Sequence, residues 1–139
     1  SYVATGAIDW NVLFVALPVG LITDGILHSN NSRDVVTDRR AGIVTMAMSM
    51  GAEKSVWLFG FEMLFPYVWV AALSIAGLLP VYTVFIFLTL PVAIGNARTM
   101  AKSLKAGVEM IADLDVKTAN LQLMFSVLLT AALVAAKFI

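Results

Sequence analysis

The sequence predicts an all-α integral membrane protein, a bundle of four transmembrane helices. Hydrophobic residues make up 60% of the 139 residues and charged residues only 13%, whereas soluble domains are about half apolar and a quarter charged. The apolar residues also gather in four long runs, each close to the roughly 20 residues that a helix needs to cross the hydrocarbon layer. The alternating pattern of a transmembrane β-barrel is absent from the sequence, which leaves a helical bundle.

The four apolar runs define one transmembrane helical domain over residues 1–139. We expect its spans at about residues 10–28, 56–79, 81–97 and 119–136, with Pro80 marking the turn between the second and third spans. The sequence contains no cysteine, which excludes disulfides and thiolate metal sites. Its formal net charge is zero, so the basic surface typical of nucleic-acid-binding proteins is not expected.

Basic residues are concentrated in two connections between the spans. The first connection holds Arg33, Arg39, Arg40 and Lys54, and the second holds Arg98, Lys102, Lys105 and Lys117. By the positive-inside rule, the connections 28–55 and 98–118 face the cytoplasm and both termini face outward. A first residue on the outer side, with no targeting signal before it, suggests that this sequence continues a longer protein.

A polar motif follows the first span, in the stretch HSNNSRDVVTDRRAGIVT that begins at His28. Asp34 and Asp38 are four residues apart, so they share one face of a helix, and Asn30 extends the same row by one turn. Like charges at this spacing repel unless a cation lies between them. Paired carboxylates that act with substrate phosphates are a usual way for proteins to hold Mg²⁺, and oxygen ligands favour magnesium or manganese over zinc.

Arginines beside these acids, at positions 33, 39 and 40, supply the forked donors that suit phosphate oxygens. The same residues also fit a solvated cytoplasmic loop in which carboxylates pair with neighbouring arginines. The spacing of the residues alone does not decide between these two interpretations.

The motif resembles a known pattern. The segment 30–42, followed by Thr45 and Gly51, resembles the second aspartate-rich motif of the UbiA superfamily of intramembrane prenyltransferases. The resemblance is strongest to the branch that prenylates 1,4-dihydroxy-2-naphthoate in menaquinone synthesis, and the segments 17–21 (LPVGL) and 118–122 (TANLQ) resemble that branch as well. The resemblance implies that the four spans correspond to the last four of a nine-helix fold.

The resemblance also implies a function, which is Mg²⁺-dependent transfer of an isoprenyl group from an isoprenyl diphosphate to an aromatic acceptor in quinone biosynthesis. Asp34 and Asp38 would bind the Mg²⁺ ion. The residues implied to bind the diphosphate are Asn30, Asn31, Arg33 and Arg39. The implied setting is membrane lipid, in a bacterial or archaeal plasma membrane, with an N-terminal half or another membrane subunit as partner.

These 139 residues lack the first aspartate-rich motif of this superfamily, and this absence leaves an alternative open. The chain would then be a non-catalytic, half-size relative that serves as a structural or accessory subunit of a membrane complex, so the sequence leaves open whether the chain is an enzyme. Glu109 and Asp113 have a comparable spacing, but together with Asp115 we interpret them as a solvated amphipathic segment.

Two acids, Asp24 and Glu62, lie inside predicted spans, where charged groups usually face a cavity or a partner. On one continuous helix, Asp24, His28, Asn31 and Asp38 would fall within roughly 80° of one another. This polar stripe is either the wall of a pocket or a local ion pair between Asp24 and His28. For Glu62 we expect either the same cavity or a basic group on a helix that is not part of this chain. His28 and Asp24 are the candidates for a catalytic role, His28 as a base for a phenol proton.

Overall fold

The computed structural model describes Gly6 and residues 10–138, and within these residues it contains α- and 3-10 helices and no strand. The α-helices are α1 (Trp10–Arg33), α2 (Val35–Arg40), α3 (Met46–Met50), α4 (Ala52–Ile75), α5 (Leu90–Ala106) and α6 (Leu114–Ala135). Two 3-10 segments, Val81–Thr89 and Val108–Ile111, lead into α5 and α6.

Four helical stretches are long and apolar enough to cross a membrane. They are Trp10–Arg33, Ala52–Ile75, Val81–Ala106 and Val108–Ala135. The predicted all-α class with four membrane-spanning helices is therefore confirmed.

The second long helix, α4, ends at Ile75, earlier than the 56–79 boundary that we expected from the apolar run. Gly77 has a φ of +73°, and the amides of Gly77 and Leu78 donate to the carbonyls of Ser74 and Leu73 at 3.1 and 2.9 Å. This left-handed glycine and its paired hydrogen bonds are typical of a helix C-terminus. The apolar residues that follow belong to the turn before Pro80.

The third span begins as the 3-10 segment Val81–Thr89 and continues as α5. A 3-10 helix has three residues per turn, so its side chains at every third position stand in one row. The buried residues of this segment are Thr83, Ile86 and Thr89, which form such a row. Two of them bind α4, because Thr83 shares a 2.7 Å hydrogen bond with Ser74, and Thr89 shares one of 2.7 Å with Tyr67.

The core lies where α1 packs against both α4 and α6. Ile22 of α1, Phe59 and Met63 of α4, and Phe125 of α6 are fully buried there. α1 approaches α4 closely at Gly25, since a Cβ atom at this position would collide with the Met63 side chain and lie 3.6 Å from Phe59. The motif-bearing end of α1 is thereby held beside α4.

The motif does not lie on one continuous helix. α1 ends at Arg33 and α2 begins at Val35, because Asp34 adopts φ −91° and ψ 9°. The hydrogen bonds from the Asp34 amide to the Asn30 carbonyl and from the Asp38 amide to the Asp34 carbonyl persist at 3.0 and 2.8 Å. The interruption is therefore local, and the i to i+4 hydrogen bonding of α1 continues into α2.

Candidate functional site

Arg33, the last residue of α1, organises the polar motif. Its Nε and Nη2 atoms donate to the two carboxylate oxygens of Asp34 at 2.9 and 3.1 Å, and Nη2 also donates to the amide oxygen of Asn30. This forked pairing with a carboxylate is the geometry for which a guanidinium is preformed. The structure thus brings together three of the residues that the sequence singled out.

A second set of contacts joins Arg33 to α6. Its Nη1 atom donates to Asp115 Oδ2 at 2.9 Å and to the carbonyl of Ala112 at 3.1 Å. A guanidinium has five N–H donors. The bonds of Arg33 to Asp115, Ala112, Asp34 and Asn30 use all five. Arg33 therefore ties the end of α1 to the beginning of α6.

The interpretation of Glu109, Asp113 and Asp115 as a solvated segment is wrong for Asp115. The side chain of Asp115 is 22% exposed and is paired with Arg33, whereas Glu109 and Asp113 are exposed and Asp113 pairs with Lys117 at 2.9 Å. The partner of Asp115 lies 82 residues earlier in the chain, so nothing in the local pattern indicated it.

The other motif residues are less constrained. Neither Asn31 nor Asp38, both partly buried, makes a side-chain hydrogen bond with another residue in the described part of the chain. Arg39 is exposed and lines a separate cavity of about 370 Å³, together with Ser32 and Ser55. Arg39 thus lies on a different wall from the cluster formed by Asn30, Arg33 and Asp34.

The donor set of the motif fits a magnesium ion that is shared with a substrate. Asp34 and Asp38 offer carboxylate oxygens and Asn30 an amide oxygen, which are the hard ligands that Mg²⁺ takes. Among the described residues, no group of three or more His, Cys, Asp or Glu side chains gathers to hold a metal ion. Two carboxylates suit a Mg²⁺ ion whose remaining ligands are phosphate oxygens and water, and they do not form an all-protein cage.

An open apolar groove of about 890 Å³ runs between α1 and α6. Val15, Val19 and Leu27 line it from α1, and Leu129 and Leu133 line it from α6. The polar residues that line the groove are Asn11, Thr23, Asp24, Ser126 and Thr130, and Asp24 is the acidic one among them.

The groove and the polar cluster lie on the same faces of α1 and α6. On α1, steps of three or four residues lead from Thr23 and Leu27 to Asn30 and on to Asp34, just after the end of the helix, and on α6 such steps lead back from Ser126 to Asp115. Leu27 and Arg33 are six residues apart, which is about 9 Å along a helix. The polar cluster therefore lies just beyond one end of the groove.

A buried polar network joins α1 to α4. His28 Nδ1 lies 3.1 and 3.0 Å from the two carboxylate oxygens of Glu62, and Nε2 lies 2.7 Å from Ser55 Oγ. Ser55 Oγ in turn lies 2.9 Å from Ser32 Oγ. The expectation that Glu62 meets a basic group on a helix outside this chain is therefore wrong, because its partner is His28 on α1.

The alternative of an ion pair between Asp24 and His28 is wrong. His28 is 3% exposed and turns towards Glu62, whereas Asp24 is exposed and lines the groove. Asp24 is still close enough to Glu62 for the two carboxyl groups to interact. The expected polar stripe therefore divides, because α1 presents Asp24 to the groove and His28 to α4.

Comparison with known proteins identifies the family to which this chain is similar. The sequence profile described as the UbiA prenyltransferase family matches residues 1–105. The UbiA prenyltransferase domain-containing protein 1 homolog of Drosophila melanogaster is 48% identical over 63 residues, which are 45% of this chain and 18% of that protein. The 1,4-dihydroxy-2-naphthoate octaprenyltransferase of Bacillus subtilis (strain 168) is 29% identical over 90 residues, which are 65% of this chain and 29% of that enzyme.

The matched segments are short relative to these proteins. The human UbiA prenyltransferase domain-containing protein 1 is 47% identical over 55 residues, 40% of this chain and 16% of its own length. The chain thus spans less than a third of the length of these curated relatives. No solved structure matches the chain.

Proposed function

The chain belongs to the UbiA prenyltransferase family, and from this premise we propose that it takes part in the transfer of an isoprenyl group from an isoprenyl diphosphate to an aromatic acceptor. The observation that carries the proposal is the cluster of Asn30, Arg33 and Asp34 just beyond the end of the apolar groove between α1 and α6. A polar head and an apolar tail are the two parts of an isoprenyl diphosphate. The groove and the cluster offer each part a matching surface.

The residues proposed to hold the diphosphate are Asn30, Asn31, Arg33 and Arg39. Since all five donors of Arg33 are occupied, its direct contact with a phosphate requires the exchange of one bond. We expect the bond to Asp115 to be exchanged. Asp115 accepts one hydrogen bond from Arg33 through one carboxylate oxygen, whereas Asp34 accepts two, one through each oxygen. In either arrangement, Arg33 keeps the Asp34 carboxylate oriented.

Asp34 and Asp38 are the residues proposed to hold Mg²⁺. A bound Mg²⁺ ion would neutralise negative charge on the departing diphosphate. The chain's own contribution is a set of preorganised donors at the place where that charge develops. The apolar groove holds the isoprenyl chain. As the bond between this chain and the diphosphate breaks, the electron-rich ring of the acceptor captures the allylic cation, and the attacked ring carbon then releases its proton, or its carboxyl group as carbon dioxide, which restores aromaticity.

The acceptor proposed for this reaction is 1,4-dihydroxy-2-naphthoate, which the name of the Bacillus subtilis relative contains. Quinone synthesis, specifically that of menaquinone, is the corresponding pathway. We further propose that the first aspartate-rich motif comes from an N-terminal half or another membrane subunit. In this arrangement the connections 28–55 and 98–118 face the cytoplasm and the termini face outward, so the site opens on the cytoplasmic side.

The test is binding of geranylgeranyl diphosphate to the detergent-solubilised protein, with and without Mg²⁺. We expect Mg²⁺-dependent binding that Asp34→Asn and Asp38→Asn each weaken by about tenfold or more. Asp113→Asn is the matched control, since it removes an exposed acid that is paired with Lys117. Equal affinity in all four proteins would contradict the assignment of the motif.

Prenyl transfer to 1,4-dihydroxy-2-naphthoate is then measured in native membranes. These membranes contain the full-length protein, including any sequence that flanks residues 1–139. The same two substitutions should abolish product formation, and Asp113→Asn should not. Unchanged product formation in Asp34→Asn and Asp38→Asn would favour the accessory-subunit alternative.

A further inference from the structure

Polar contacts of the buried residues His28 and Glu62 continue to the last turn of α1, next to Arg33. We propose that His28, Glu62 and Ser55 form a positioning network that holds this turn, so that the pair of Arg33 and Asp34 keeps one arrangement. The ligand of Arg33 and Asp34 rests on the proposed function. The role of the network in holding the end of α1 does not depend on it.

The geometry of His28 leaves it little freedom. Both ring nitrogens have partners, the Glu62 carboxylate on one side and the Ser55 hydroxyl on the other. The ring also stands edge-on to Phe59, with centroids 6.0 Å apart and an interplanar angle of 85°. A rotation of the ring would break both hydrogen bonds, so His28 fixes the rotation of α1 about its axis relative to α4.

Ser55 extends this constraint to the motif. Its hydroxyl contacts His28 Nε2 and also the hydroxyl of Ser32, the residue immediately before Arg33. Arg33 is bound on its other side to Asp115 of α6. The end of α1 is therefore held from two sides, by α4 through the network and by α6 through the ion pair.

A role in stability alone does not require these residue types. Buried ion pairs are often replaceable by apolar residues of similar size without loss of stability, and ionisable groups inside membrane spans are commonly functional. The side chains of His28 and Glu62 are each 1% exposed. What the polar pair adds over an apolar pair is a fixed direction, because hydrogen bonds are directional and apolar contacts are not.

The experiment measures the position of the α1 end directly. The chain contains no cysteine, so spin labels can be attached to Arg40→Cys after α1 and Leu123→Cys on α6, both exposed positions. Distances between the labels are measured by double electron–electron resonance. The variants are Ser55→Ala and the double variant His28→Leu with Glu62→Leu, which leaves no unpaired buried charge.

The matched control is Tyr67→Phe, which removes a buried hydrogen bond between α4 and Thr89 of the 3-10 segment but leaves α1 untouched. We expect a narrow distance distribution in the parent and in Tyr67→Phe, and a distribution at least twice as wide in the double variant. Ser55→Ala should widen it to a smaller extent. If the double variant does not fold, Ser55→Ala decides the question.

Binding of geranylgeranyl diphosphate gives the functional result. The double variant should bind about tenfold more weakly or worse, as is usual when groups that orient a site's ligands are removed, while Tyr67→Phe should bind like the parent. Narrow, unchanged distributions in Ser55→Ala and the double variant would overturn the positioning role. A parent protein that binds no isoprenyl diphosphate would refute the proposed function, and the label distances would still decide the positioning role.

Discussion

Arg33 and Asp115 lie 82 residues apart in the sequence and are joined by a 2.9 Å ion pair. The pair connects the end of the first long helix to the start of the last one. It stands at the point where the apolar groove between these helices meets the aspartate-containing motif. Several expectations about binding depend on this one contact.

Asp115→Asn should raise the affinity for geranylgeranyl diphosphate about three- to tenfold. The amide oxygen of asparagine can still accept a hydrogen bond from Arg33, but the negative charge that competes with the diphosphate is gone. Affinity is measured at fixed Mg²⁺ concentration and fixed ionic strength. Asp113→Asn controls for the change in net charge, and a lower affinity in Asp115→Asn alone would contradict the exchange of this bond.

Arg33→Lys should weaken binding of the diphosphate about tenfold, which is ~1.4 kcal/mol. A lysine ammonium is a compact charge with three donors and cannot contact Asn30, Asp34 and Asp115 in the forked geometry of a guanidinium. Arg98→Lys, at an exposed position on α5, serves as the control. Equal affinities in the two variants would show that the charge of Arg33 matters and its shape does not.

Asp34→Asn and Asp38→Asn should differ in stability although both weaken Mg²⁺-dependent binding. Asp34 loses its paired hydrogen bonds to Arg33, at a cost of about 0.5–1 kcal/mol because the pair is partly exposed. Asp38 has no such bond with a described residue, so its substitution should leave the unfolding free energy unchanged. Unfolding in mixed detergent micelles measures both values, and an equal loss in the two variants would contradict the pairing.

Gly25→Val should lower the free energy of unfolding by about 1–3 kcal/mol, the usual range for overpacking. The new side chain would displace the terminal methyl group of Met63, which is fully buried, and would approach Phe59, which is also fully buried. Gly20→Val, on the same helix but with open space beside it, should change stability by no more than about 0.5 kcal/mol. If the two valines had the same effect, the close approach at Gly25 would not be limiting.

Gly20→Leu should reduce the affinity for geranylgeranyl diphosphate more than that for dimethylallyl diphosphate. Gly20 lines the groove, so a leucine there would occupy space proposed for the distal part of a long isoprenyl chain. Gly60→Leu is the matched control, because Gly60 also has open space around it but does not line the groove. Equal losses of affinity for the long and the short diphosphate would show that the isoprenyl chain does not bind in this groove.

The sequence predicted the helical membrane class correctly because long apolar runs are a local property of the chain. Boundaries were harder to predict, since Leu78 and Leu79 continue an apolar run after the helix has ended at Ile75. The end of α4 is set by the backbone of Gly77, which hydrophobicity does not record.

The contacts of the candidate site were only partly predictable. A charged residue inside an apolar run, such as Glu62, signals that a partner must exist, but the sequence does not say which. The partners of Glu62 and Asp115 lie 34 and 82 residues away, beyond the reach of helical periodicity. The contacts among Asn30, Arg33 and Asp34 are local, because these residues lie within about one helical turn of one another in the sequence.

The row formed by Thr83, Ile86 and Thr89 repeats with a period of three, and this repeat limits which changes in length the third span can accept. Deletion of one residue before Thr83 would turn both threonines away from Ser74 and Tyr67 and leave their hydroxyls facing hydrocarbon. Only an insertion or deletion of three residues would return the row to register. The length of Val81–Thr89 is thus constrained in whole turns, whereas its exposed apolar side chains, Val81, Val84, Phe85 and Leu88, can vary in kind.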